Sequence, residues 1–87
     1  MTPKQQKLHD MTYVQDDTGC WMWTGQISNS GYGRIMEVQD GGTSMVSAQS
    51  ASYRAFIGPV PDGHLVKQRC GRRLCINPDH LELIVSA

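Results

Sequence analysis

Cys70-Gly71-Arg72-Arg73-Leu74-Cys75-Ile76-Asn77-Pro78-Asp79-His80 is the stretch that decides how this chain folds. It sets two thiols and an imidazole within eleven residues, and one further cysteine, Cys20, lies far upstream. These four side chains make a complete tetrahedral set of soft and borderline donors, the mix that Zn²⁺ prefers. The chain has 3 cysteines, and all of them can join such a site, whereas a disulfide would strand one. The alternative is a set of buried, unliganded cysteines with His80 on the surface. At 87 residues and 39% hydrophobic content the core must be thin, and a metal clip would supply the missing stability.

Composition excludes several classes. No apolar run is long enough to span a membrane, and no signal peptide with a charged start and an apolar middle is present. Odd cysteine usage without an export signal points to a reducing cytoplasm, where Cys/His clusters bind metal more often than they form disulfides. Net charge is zero, so no global field draws the protein onto nucleic acid. The charge is uneven, however. Residues 54–87 carry five bases against three acids, and Lys67, Arg69, Arg72 and Arg73 fall within seven positions.

Working outward, Thr2-Pro3 followed by Lys4–Asp10 predicts a short N-terminal helix, with Thr2 as cap and Pro3 at the first helical position. Its low apolar content predicts a frayed segment. Gly19–Trp23 reads as a first strand holding Cys20, with Trp21 and Trp23 packing the core and the metal shell. Ser28-Asn29-Ser30-Gly31 is a turn by composition. Tyr32–Val38 and Ser44–Ala48 read as a hairpin closed at Asp40-Gly41-Gly42. Ala48–Phe56 reads as a helix stopped by Gly58. Pro59–Gly63 is a rigid turn, and His64–Cys70 is a strand that delivers the first ligand of the close set. Asn77-Pro78-Asp79 turns the chain towards His80, and Leu81–Val85 is a short strand or an irregular tail. No internal repeat is present.

The ordered motifs Gly19-Cys20-Trp21-Met22-Trp23-Thr24-Gly25, Gly31-Tyr32-Gly33-Arg34, Ser52-Tyr53, Gly58-Pro59-Val60-Pro61-Asp62-Gly63 and Cys70 to Leu81 resemble small HNH endonucleases common in bacteriophage genomes. They also resemble the related His-Cys-box homing nucleases, which share the ββα-metal fold. The resemblance runs from about Gly19 to Leu83, most of the chain. It implies a small α+β, zinc-stabilised domain over residues 19–87, with antiparallel hairpins and one middle helix, behind an N-terminal segment 1–18. It implies one structural Zn²⁺ on Cys20, Cys70, Cys75 and His80. It also implies a setting in the cytoplasm of an infected bacterium.

Departures from the family pattern bear on function. Active relatives carry a histidine, the general base that activates water, where this chain has Gln68. A glutamine amide has no usable basicity near neutral pH. Relatives also carry Ala-His-Arg where this chain reads Ala48-Gln49-Ser50, so the arginine near the scissile phosphate is absent. The family's Mg²⁺-binding asparagine sits on a terminal helix that would lie beyond Ala87, and that catalytic helix is expected to be missing. His64 stands on the same strand as Gln68 but roughly 13 Å away at the usual rise, too far to act at the same phosphate. It reads as an exposed polar residue, His9 as solvent-facing and Asp16-Asp17 as a solvated loop. Gly31-Tyr32-Gly33 lacks the strand-to-helix context of a phosphate loop.

The expectation is therefore a non-enzymatic, HNH-like zinc protein with no catalytic residues. Two function classes fit it. One is a protein-binding inhibitor or adaptor that acts on a host nucleic-acid or defence complex. The other is a DNA-binding protein that does not cut. In both, Lys67, Arg69, Arg72 and Arg73 form the partner surface, with Lys67 and Arg69 on one side of the strand and Gln68 on the other. A basic loop without a partner, and an active nicking enzyme, are the remaining readings. Neutral net charge favours the protein partner. A homodimer is possible by the resemblance, although the helix that would help pair subunits is expected to be missing.

Overall fold

The computed structural model describes residues 2–39 and 41–85. Asp40, in the expected hairpin turn, lies outside the described residues, as do positions 1, 86 and 87. The order of elements is α1 (Pro3–Asp10), β1 (Thr12–Val14), β2 (Trp21–Trp23), β3 (Arg34–Gln39), β4 (Gly42–Ser47), α2 (Ala48–Phe56), β5 (His64–Gln68), a 3₁₀ turn (Pro78–His80) and β6 (Leu81–Val85). The strands pair in sequence as three antiparallel two-stranded sheets, β1–β2, β3–β4 and β5–β6. The architecture is small α+β with antiparallel hairpins. A lone two-stranded hairpin is marginal in water, so these sheets depend on what packs across them.

Local chemistry starts each helix. At α1 the Thr2 hydroxyl accepts from the Gln5 N–H (3.2 Å), and the Gln5 side-chain oxygen accepts from the Thr2 N–H (2.9 Å). This reciprocal box satisfies two otherwise unpaired donors. The helix is docked, contrary to the frayed segment expected from its composition. Leu8 is 1% exposed and joins Trp23, Ala48, Ala51 and Ile76 in one core cluster. Gln5 Nε2 donates to the Ala55 carbonyl at 2.7 Å. Glu37 of β3 pairs with Lys4 at 3.5 Å and Arg54 at 3.0 Å, tying α1 and α2 to the hairpin. One buried leucine supplies an anchor that the polar residues around it conceal.

At α2 the Ser47 hydroxyl accepts from the Ser50 N–H (3.3 Å) as N-cap. The helix buries Ala48, Gln49, Ala51 and Ser52. Small side chains on that face let it approach closely, and Ser52 Oγ donates to the Ile76 carbonyl at 2.6 Å.

Cys20 does not lie on a first strand. β1, missed in the sequence, pairs with β2 in the register Thr12↔Trp23, and Cys20 directly precedes β2. A three-residue strand is too short to show alternation, which explains the omission. His9 is not solvent-facing either. It meets Trp21 edge-on at 4.8 Å, and Trp21 meets Phe56 at 5.5 Å. Trp23 is 2% exposed. Its indole is seated against two glycines: a Cβ at Gly33 would lie 2.5 Å from Trp23 Cδ1, and one at Gly25 would lie 2.7 Å from Cζ2. Neither position has room for a side chain without moving the ring, so one glycine of each N-terminal motif serves this tryptophan.

β5 ends at Gln68, two residues short of the expected Cys70. β6 is a regular strand rather than a tail and pairs with β5 in the register Gln68↔Leu81. Val66, Gln68 and Leu81 are buried, whereas Leu65, Lys67, Glu82 and Ile84 are exposed, as a two-faced hairpin requires.

Candidate metal centre

Four separated positions converge at one point. Cys20 is set by its lead-in to β2: the Gln15 N–H donates to the Cys20 carbonyl at 2.9 Å, and the Cys20 N–H donates to Thr18 Oγ1 at 3.3 Å. Cys70 opens the turn after β5, where Gly71 takes φ +78°, a left-handed setting that suits glycine. Cys75 is bridged to Met22, and around it the Trp23 N–H donates to the Leu74 carbonyl and the Ile76 N–H to the Trp21 carbonyl, both at 2.8 Å. His80 ends the 3₁₀ turn, which Asn77 caps by accepting from the Asp79 N–H at 2.9 Å. Asn77 Nδ2 also donates to the Gly19 carbonyl at 2.7 Å, so one side chain fixes the approach to two of the four positions.

The donor atoms of Cys20, Cys70, Cys75 and His80 all lie within 4.8 Å of one another. Cys20 Sγ lies 3.6 Å from Cys70 Sγ, and His80 Nδ1 lies 3.5 Å from Sγ of both Cys20 and Cys75. A tetrahedral ion with metal–sulfur bonds of about 2.3 Å sets its sulfurs about 3.8 Å apart and sulfur from nitrogen about 3.5 Å. The group therefore fits a metal ion of zinc's size and ligand preference, with His80 presenting Nδ1. Cys20 and Cys75 are fully buried.

The thiols are not equivalent. Burial, with the neighbouring Cys20 and Cys70 sulfurs, pushes the Cys75 thiol up to about 12, against backbone N–H groups that pull it down. Burial also pushes Cys70 up, but hydrogen bonds from the Arg72 backbone and from Cys20 outweigh it, and its net shift is downward. Without a cation Cys75 holds its proton through the neutral range, so an ion that takes this sulfur as thiolate must displace that proton. Metal affinity is expected to rise with pH, about tenfold per unit for each proton displaced. Calorimetric titration in buffers of different ionisation heat checks this, and a binding heat independent of buffer would contradict it.

The four basic residues singled out in the sequence are all exposed. They are not equally free. Arg73 Nη1 donates to the Ser30 carbonyl at 2.8 Å, and its guanidinium sits 5.5 Å from the Tyr32 ring centre. It straps the loop between the cysteines to the Ser28–Tyr32 turn. Lys67 stands opposite Glu82 in the β5–β6 register, which reduces the local positive charge. Arg69 lies beyond the end of β5, although its N–H continues the ladder to the His80 carbonyl at 2.6 Å. Arg69 and Arg72 enter no ion pair among the described residues. The strap could not be read from sequence, because 43 positions separate Arg73 from Ser30.

A cleft of about 490 Å³ opens between β5 and the start of α2, and both Gln49 and Gln68 line it. Gln68 is 5% exposed, and its Nε2 donates to the Arg73 carbonyl at 3.1 Å. It faces inward, opposite to Lys67, as strand alternation predicts. Among the described residues no imidazole or carboxylate lines this cleft. His64 is not part of the lining; its Nδ1 lies 3.1 Å from the Asp62 carbonyl oxygen.

Comparison with known proteins agrees with this arrangement. Residues 50–86 match the family model described as HNH endonuclease, a span that includes Cys70, Cys75 and His80. The chain is 33% identical over 66 residues to Protein 2.8 of Escherichia phage T7. That match covers 76% of this chain and 42% of the phage protein, so the chain spans less than half of its relative's length. No solved structure matches the chain.

Proposed function

We propose, since residues 50–86 are of the HNH endonuclease type, that this chain is a zinc-held HNH-like scaffold that binds a partner and does not cut nucleic acid. One observation carries the proposal: the two positions where the family resemblance calls for histidine, Gln49 and Gln68, line the same cleft, and no imidazole or carboxylate lines it among the described residues. Zinc is the ion proposed, from three sulfurs and one imidazole nitrogen at tetrahedral spacing. When bound it would supply cohesion, since all four corners are taken by protein and none is left for water.

Partner binding is assigned to the surface around the loop between Cys70 and Cys75. Anchoring at both ends by metal ligands, with the Arg73 strap, leaves little conformational entropy to lose when Arg69 and Arg72 are engaged. A guanidinium pairs in a planar fork with carboxylate or phosphate. Zero net charge favours an acidic protein surface, and the partner proposed is a host complex that this chain inhibits or adapts. The exposed Lys67, Arg69 and Arg72 also suit a second reading, DNA bound without cleavage.

Arg69→Glu with Arg72→Glu is expected to abolish capture of the partner from host lysate while metal content and melting temperature stay unchanged. Arg73 is left intact because its loss would free the strap. If DNA is the partner, the same variant abolishes a mobility shift that already weakens steeply between about 50 and 200 mM salt. Retention of full binding by the double variant would remove this surface from consideration.

A further inference from the structure

The outer edge of β3 begins a ladder that nothing completes. The Arg34 N–H donates to the Gln26 carbonyl at 2.9 Å, outside the hairpin. Backbone direction alternates along a strand, so Met36, two residues on, turns its N–H and C=O to the same outer side. Among the described residues no backbone group meets them there. Two clefts run along this edge. One, of about 370 Å³, lies against α1 and is lined by Ile35, Met36 and Glu37. The other, of about 250 Å³, is lined by Arg34, Ile35 and Met36. Consecutive strand residues point to opposite faces, so a cleft that touches three in a row abuts the edge rather than one face. Both clefts include Lys7, Ile35 and Met36, and therefore adjoin. From Arg34 to Glu37 they follow roughly 10 Å of strand, room for about four residues of an extended chain.

The walls specify the side chains such a segment would carry. Met36 and Met45 stand directly opposite each other in the β3–β4 register and are 56% and 41% exposed. Met11 and Trp23 complete the apolar lining of the second cleft. Methionine adapts its shape to what it meets, and it is over-used at binding surfaces. Charge narrows the partner further. Lys7 and Arg34 line the second cleft, are exposed, and enter no ion pair among the described residues. Among those residues Glu37 is the one carboxylate in either lining, and Lys4 and Arg54 already hold it. A basic segment would be repelled, whereas an acidic one meets two free cations. A nucleic-acid backbone would satisfy those cations but offer the methionines nothing apolar.

We infer that the β3 edge docks an extended, acidic peptide segment of a partner protein. The segment adds a strand beside Met36, lays apolar side chains on the methionines and sets carboxylates at Lys7 and Arg34. Strand addition takes its affinity from main-chain hydrogen bonds and its specificity from the pockets alongside. This surface is separate from the basic loop, because neither Arg69 nor Arg72 lines either cleft.

The test selects a random-peptide display library on the metal-loaded chain carrying Arg69→Glu and Arg72→Glu, so that the basic loop cannot capture acidic peptides. Enriched sequences are expected to combine Asp or Glu with apolar residues at alternate positions. A synthetic peptide of the leading sequence is then titrated into the parent chain. Methionine-methyl NMR should show shifts at Met11, Met36 and Met45 and none at Met22, which is bridged to Cys75 and lines neither cleft. The Met36 amide should gain protection from hydrogen exchange, as a newly paired strand requires. Lys7→Glu with Arg34→Glu should weaken the peptide by about tenfold or more and leave the melting temperature unchanged. Enrichment of no acidic sequence overturns the inference. So do methyl shifts that miss Met36 and Met45, a Met36 amide that gains no protection, or an affinity indifferent to the Lys7 and Arg34 substitutions. Duplex DNA that shifts the same methyls and displaces the peptide would assign the edge to nucleic acid and overturn it too.

Discussion

Cys75→Ser is expected to leave the chain unfolded or aggregated at room temperature. Cys75 is fully buried, sits on the bridge to Met22, and lies 3.5 Å from His80 Nδ1. A serine oxygen is a poor replacement for thiolate at a soft site. Structural zinc in small domains contributes on the order of 10 kcal/mol of apparent binding energy, comparable to the whole stability of a domain. The core cannot absorb that loss, since five buried side chains form its main cluster. Far-ultraviolet circular dichroism and gel filtration read the outcome. Cys70→Ser separates metal from packing, because Cys70 is only partly buried yet supplies an equal donor. Both variants should collapse if the metal holds the fold. A cooperative melt near the parent temperature in the Cys70 variant would show that packing suffices.

The second large effect concerns catalysis. With Mg²⁺ or Mn²⁺ the purified chain is expected not to nick supercoiled plasmid. Loss of a general base alone typically costs about 10²–10⁴-fold. Gln68 cannot act as one, because its amide carries no basic nitrogen and its Nε2 is engaged with the Arg73 carbonyl. The cleft it shares with Gln49 has no imidazole or carboxylate to take its place among the described residues. The assay includes His64→Ala as a control. Nicking by the parent that disappears in this variant would identify His64 as a substitute base and reverse the reading.

Much of this fold was legible because its signals are local. Ala48–Phe56 is helical at the expected bounds, and the Thr2-Pro3 start of α1 follows from capping chemistry that neighbouring residues complete among themselves. The Cys/His spacing brought together Cys70, Cys75 and His80, and counting cysteines added Cys20. Long-range contacts were not legible. The docking of His9 on Trp21, the seating of Trp23 on Gly25 and Gly33, and the Arg73 strap each join residues that no periodicity links. β1 is too brief to show a period, and the strand expected through Cys70 overshoots β5 because the turn at Gly71 gives no apolar break. The sharing of one cleft by Gln49 and Gln68 follows from packing of α2 beside β5, which only the folded chain displays.

Native mass spectrometry of the freshly purified chain reads the metal without disturbing the fold. One zinc ion per folded chain is expected, absent from the Cys75→Ser variant. A folded chain at the mass of the bare polypeptide would contradict it.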